Sequence, residues 1–109
     1  MDMNQAVQEQ LDCTRSKLEM LCKEFGVKRL WLFGSALTSN WEPDTSDLDL
    51  LVEFGPPPEG IDLFAQQFVF QVELENLFEM RVDLVERTAI KKQSFKQAVD
   101  REAREIYAA

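Results

Sequence analysis

The chain contains no histidine. That absence excludes a His-liganded zinc hydrolase, a Ser-His-Asp triad and a Cys-His pair, and leaves acid–base chemistry to carboxylates, Lys, Tyr or Cys. Positive charge is also scarce. Twelve Lys and Arg face 20 Asp and Glu, a formal charge of −8, and no Lys or Arg occurs from Leu30 through Met80. Long basic tracks for phosphodiester backbones are therefore missing, which argues against direct nucleic-acid binding and leaves small molecules, proteins or a cation as partners. The two cysteines, Cys13 and Cys22, fall on one predicted helix more than two turns apart, out of disulfide reach. They read as packing thiols in a reducing, cytoplasmic compartment. No signal peptide opens the chain and no apolar run is long enough to span a bilayer, so no membrane role is expected.

Glycine and proline are sparse, four of each. Three of the prolines sit in "FGPPPEG", which reads as one stiff surface loop rather than a linker. With no repeat and 45% hydrophobic residues, residues 1–109 are expected to form a single small domain.

Val7, Leu11, Leu18, Leu21, Cys22 and Phe25 recur at helical spacing, with Gly26 as a stop, and predict a helix over residues 4–25. "VKRLWLF" predicts a strand ending at Gly34, and "SALTSNWEPDT" a single helical turn near Ser35 followed by a loop. "SDLDLLVEF" predicts a second strand, apolar enough to be buried on both faces. A helix over residues 61–80 follows, then a third strand in "RVDLVER". A last amphipathic helix is predicted in "IKKQSFKQAVDREAREIYAA", with Phe95, Val99, Ala103 and Ile106 on one side. The order α-β-α(short)-β-α-β-α makes a mixed α/β fold, with strand order left open.

The 61–80 helix carries two apolar stripes. Ile61, Ala65, Phe68, Val69 and Val72 form one; Leu63, Phe70, Leu74, Leu77 and Phe78 form the other. One is expected to face the sheet and the other to meet neighbouring helices or another chain.

Asp47 and Asp49 are two residues apart at the front of the second strand and so project to one face. Asp83 has a similar offset in the third strand. If those strands pair, three carboxylates converge, and such a group repels itself unless it holds a hard cation. Mg²⁺ with its substrate phosphates suits all-oxygen donors. An Asp-x-Asp pair alone is common, and Asp47 can equally end a loop, but Asp49 lies inside an otherwise apolar strand. Gly34-Ser35 adds a turn where backbone and hydroxyl can approach a phosphate, although "GS" alone is ordinarily a plain turn.

Taken as an ordered set, "LFGSALTSNWEPDTSDLDLLVEF" followed by "RVDLVE" resembles the minimal nucleotidyltransferases (MNT family) of the DNA polymerase β-like superfamily, over nearly the whole chain. The resemblance implies a small mixed sheet flanked by helices. It implies a nucleoside triphosphate, ATP or another, held at Gly34 and Ser35, and Mg²⁺ held by Asp47, Asp49 and Asp83. Asp83 would also take the proton of the attacking hydroxyl. Many relatives are antitoxins paired with a HEPN-type ribonuclease toxin, some transferring AMP to a toxin tyrosine, so a HEPN-type partner or a homo-oligomer is implied. The sequence departs from the family in having no arginine after Gly34-Ser35. A second reading therefore stays open, in which the fold survives as a module that binds a partner without catalysis.

Overall fold

The computed structural model describes residues 5–34, 47–90 and 92–109, with the side chains of residues 6, 95 and 98–100 left aside. Helix α1 (Gln5–Glu24) leads into β1 (Val27–Phe33). The helix stops where the sequence expects: Gly26 takes a left-handed φ of +70°, a conformation that side-chain-bearing residues adopt at a cost. A Cβ there would also lie 2.8 Å from Pro58 Cδ, so the proline loop packs directly on this turn. Strand β2 (Leu48–Phe54) follows, then a helical run, β3 (Val82–Glu86), a 3₁₀ turn (Arg87–Ala89), α3 (Gln93–Glu102) and β4 (Arg104–Ala108). The expected short helix near Ser35 lies outside the described residues.

The four strands form one sheet in the order β3-β2-β1-β4. β1 is antiparallel to β2 and β4, while β2 and β3 are parallel, joined by a helical crossover as parallel neighbours require. Because β2 is central, Leu50, Leu51 and Val52 are all 0% exposed, which accounts for its unbroken apolar run. One sheet face carries Leu30, Leu32, Leu48, Leu50, Val52, Val82 and Leu84 against α1 and the second helix. The other gathers Trp31 and Leu51 with Phe33, Val85, Ile90 and Ala103.

Two expectations are corrected. The last predicted helix ends at Glu102, and residues 104–108 form β4, an edge strand on β1. "AREIYA" continues the helical charge pattern of "AVDRE", so its local signal favours helix. The unpaired backbone groups of β1 decide otherwise, since β4 satisfies them while burying Ile106 and Tyr107. Ile106 thus belongs to a strand, not to a helix face shared with Ala103.

The 61–80 helix is also irregular. Asp62 caps it, its carboxylate accepting from Ala65 N–H at 2.7 Å, and helix α2 proper is Phe70–Phe78. Between them Ala65–Val69 is π-helical, which widens the turn and rotates everything before it relative to α2. Phe70, Leu74 and Phe78 of the second stripe are buried, whereas its first member, Leu63, is 72% exposed. The wide turn turns Gln66 inward instead. Its Nε2 donates to Phe25 O at 2.9 Å and Gly55 O at 3.0 Å, tying the ends of α1 and β2 together. Phe64, Phe68, Val69 and Val72 remain exposed.

Cys22 is buried, as expected, and burial first, with Glu19 second, pushes its thiol up to about 12. Cys13 is exposed, so it is not a packing thiol.

Candidate active site

The parallel pairing of β2 and β3 decides the site. Its register sets Leu48 opposite Val82 and Asp49 opposite Asp83, so the two aspartates are lateral neighbours one strand spacing apart, about 4.8 Å. Leu48, Leu50 and Val52 face the α1 side, while Leu51 joins the second core. By alternation Asp47 and Asp49 point to the Leu51 face, and Asp83 joins Val85 there. Asp47 immediately precedes β2 and is exposed, Asp49 is half-buried, and Asp83 is exposed.

The three charges act on one another. The Asp49 carboxyl is pushed above its ordinary value, first by burial, then by Asp83 and then by Asp47. No three Asp, Glu, Cys or His side chains close into a compact ligand group among the described residues. Asp49, Asp83 and Asp47 stand within charge–charge range without forming a finished coordination shell. As a donor set they suit a hard divalent cation: all donors are carboxylate oxygens, and a cation among them would offset the repulsion and desolvation that Asp49 bears.

Gly34 has a role that the sequence did not suggest. It follows Phe33, which pairs with Asp49 across the β1–β2 ladder, and it holds a left-handed φ of +73°. A Cβ at Gly34 would come within 2.5 Å of Asp49 Oδ2. This glycine therefore lets the carboxylate rest against the backbone at the end of β1. The only sequence signal for that contact was the strand register, which could not be read without the sheet. Ser35, the second candidate in the turn, lies outside the described residues.

The first basic residue after the charge gap, Arg81, accepts a hydrogen bond from Leu48 N–H on its carbonyl at 2.9 Å and so stands at the start of this strand pair. Two other described arginines near the sheet are engaged elsewhere. Arg29 bonds Glu105 through Nε at 2.9 Å and stacks on Trp31 at 4.8 Å. Arg87 also lies over the Trp31 ring, at 5.3 Å, with Glu53 at 4.0 Å.

Known proteins resemble this chain in sequence and in fold. The nucleotidyltransferase domain family matches residues 15–106. A Methanocaldococcus jannaschii protein named "Putative protein adenylyltransferase" is 31% identical over 94 residues, covering 86% of this chain and 91% of its own. A second protein of that organism with the same name is 34% identical over 76 residues, covering 70% and 76%. A solved structure described as a "putative minimal nucleotidyltransferase" superposes with a TM-score of 0.67 at 33% identity, over 94% of both chains. A toxin–antitoxin complex solved with AMP-PNP shares the fold at 18% identity and a TM-score of 0.63, over 86% of this chain and 73% of that one. The four-stranded mixed sheet flanked by helices is that of the nucleotidyltransferase fold, and the chain belongs to the nucleotidyltransferase domain family.

Proposed function

We propose that this chain is a Mg²⁺-dependent nucleotidyltransferase that moves AMP from ATP to a hydroxyl on a partner protein, and that it serves as the antitoxin of a HEPN-type toxin. The observation that carries the reading is the Asp49–Asp83 register with Asp47 on the same face. Bound Mg²⁺ would neutralise the polyphosphate and the developing charge on the leaving oxygen. Asp47 and Asp49, with Asp83, are the residues that would hold it. The triphosphate would be held at Gly34, at the end of β1, and at Ser35, as the resemblance to the family implies. The acceptor hydroxyl oxygen bonds to the α-phosphorus as the bond to the bridging oxygen breaks. Pyrophosphate leaves with that electron pair, and the hydroxyl proton passes to the Asp83 carboxylate.

The partner and nucleotide rest on likeness. The M. jannaschii relatives carry the adenylyltransferase name. A structure with a tri-AMPylated Shewanella oneidensis HEPN toxin bound to an MNT antitoxin has the same fold, at 17% identity and a TM-score of 0.58 over 92% of this chain. We place residues 1–109 in one catalytic domain of the cytoplasm, a placement that the two free cysteines suit.

The test uses the chain purified with its associated protein, Mg²⁺ and ATP labelled at the α-phosphate. Label should appear on the partner and vanish with Asp47→Asn/Asp49→Asn. Label retained in that double variant would sink the proposal.

A second reading, a partner-binding module without catalysis, draws on a different observation. Leu63, Phe64, Phe68, Val69 and Val72 are exposed together on one helical run, with the Phe64 and Phe68 rings 4.8 Å apart. Such a face suits protein contact whether or not the site turns over.

A further inference from the structure

A triphosphate approaching three carboxylates adds negative charge to negative charge, and the chain offers no Lys or Arg between Leu30 and Met80 to offset it. Arg81 ends that gap at a defined place. Its carbonyl accepts from Leu48 N–H, which continues the β2–β3 ladder one step ahead of the Leu48–Val82 pair. Alternation then groups Arg81 with Asp83 and Val85, and Val82 with Leu84. The packing agrees, since Val82 and Leu84 lie in the core beneath α1 and α2 whereas Val85 packs with Trp31. Arg81 thus shares the face of Asp47, Asp49 and Asp83, about one strand spacing (~4.8 Å) from Asp47. Its side chain is exposed, and it forms no ion pair among the described residues.

The other cations are less well placed. Arg29 pairs across the sheet with Glu53 and Ala108, at the end of β1 away from Gly34. Arg15 donates to Ile106 O at 3.4 Å. Among the described residues, Arg101 is a competitor. Helix α3 leads into Arg104, which pairs with Leu32, so that helix end also lies toward the Gly34 end of the sheet. No strand ladder fixes Arg101, however.

We infer that Arg81 is a nucleotide-binding residue whose guanidinium grips the polyphosphate of the nucleoside triphosphate, supplying from just ahead of β3 the charge that the sequence after Gly34 lacks. This rests on the nucleotidyltransferase reading above. A planar guanidinium can bridge two phosphate oxygens, which suits a leaving pyrophosphate.

Calorimetric titration of the full chain with ATP and with AMP, both with Mg²⁺, tests it. Arg81→Ala should weaken ATP binding about 10- to 100-fold, while AMP affinity changes by less than about twofold. Arg81→Lys should recover part of the loss, because the charge returns without the fork. Arg101→Ala should bind ATP like the parent chain. Unchanged ATP affinity in Arg81→Ala, an equal loss for ATP and AMP, or a loss confined to Arg101→Ala would each overturn the inference and leave the proposed function standing. A parent chain that binds no ATP would overturn both. Because Arg81 is exposed, melting temperatures of its variants should stay within about 2 °C of the parent.

Discussion

Individual residues of the site hold conflicting demands. Gly34 combines a left-handed backbone with a carboxylate oxygen where its Cβ would be. Gly34→Ala should cost about 1–2 kcal/mol from the backbone alone, with transfer activity falling as Asp49 is displaced. The two causes separate in a double-mutant cycle. Thermal melts of Gly34→Ala, Asp49→Ala and the pair should be non-additive, because the second change removes the group that the new methyl strikes. Asp49 itself is a site of stored repulsion. Its folded-state value is raised above the ordinary 3.8, so its stabilising, protonated form is present at low pH and lost as pH rises through that raised value. Asp49→Asn should therefore melt higher than the parent in metal-free buffer near neutrality. The difference should shrink toward about pH 4. An equal difference at all pH values would show that charge is not its cause.

At the scale of elements, the departures from regular structure carry the architecture. The π-helical stretch Ala65–Val69 is stabilised by Gln66, 3% exposed, which donates to the carbonyls of Phe25 and Gly55, just past the ends of α1 and β2. Gln66→Ala should cost about 2–3 kcal/mol, since two buried acceptors lose their donor. Urea denaturation should show this as a lower midpoint with an unchanged slope. A loss below about 0.5 kcal/mol would mean that water replaces the amide. The Gln66 amide could not be singled out from the sequence, where it reads as one polar position among helical neighbours. Likewise "REIYA" carries a helical charge pattern, and only the open edge of β1 makes it a strand. By contrast α1, β1, β2 and β3 were legible, because their periodicity, their lengths and the Gly26 stop all point one way.

For the whole molecule, acidity and an exposed apolar face occur together. The helical run bearing Leu63, Phe64, Phe68, Val69 and Val72 lies wholly within the stretch devoid of Lys and Arg. Phe64 and Phe68 are 66% and 53% exposed, so Phe64→Ser/Phe68→Ser should leave the melting temperature within a few degrees, about 0.5 kcal/mol or less for exposed positions. Association with a co-purifying partner should weaken at least about tenfold if this face docks it, as for aromatic anchors at interfaces. Size-exclusion chromatography of variant and parent complexes reads the outcome, and an undiminished complex would place the interface elsewhere.

Composition and order in the chain were enough to establish much of this. The missing histidines and scarce cations removed whole classes of chemistry, and the order of Gly34, Asp47, Asp49 and Asp83 along the chain carried the resemblance to the nucleotidyltransferases, because each of those signals is short and local. Contacts between distant segments were decided only in three dimensions. The parallel pairing that sets Asp49 beside Asp83, the seat of Asp49 against Gly34, the closing of the sheet by β4 and the place of Arg81 on the carboxylate face all depend on strand register. Register is a property of two segments at once, fixed by which side chains the shared core can bury.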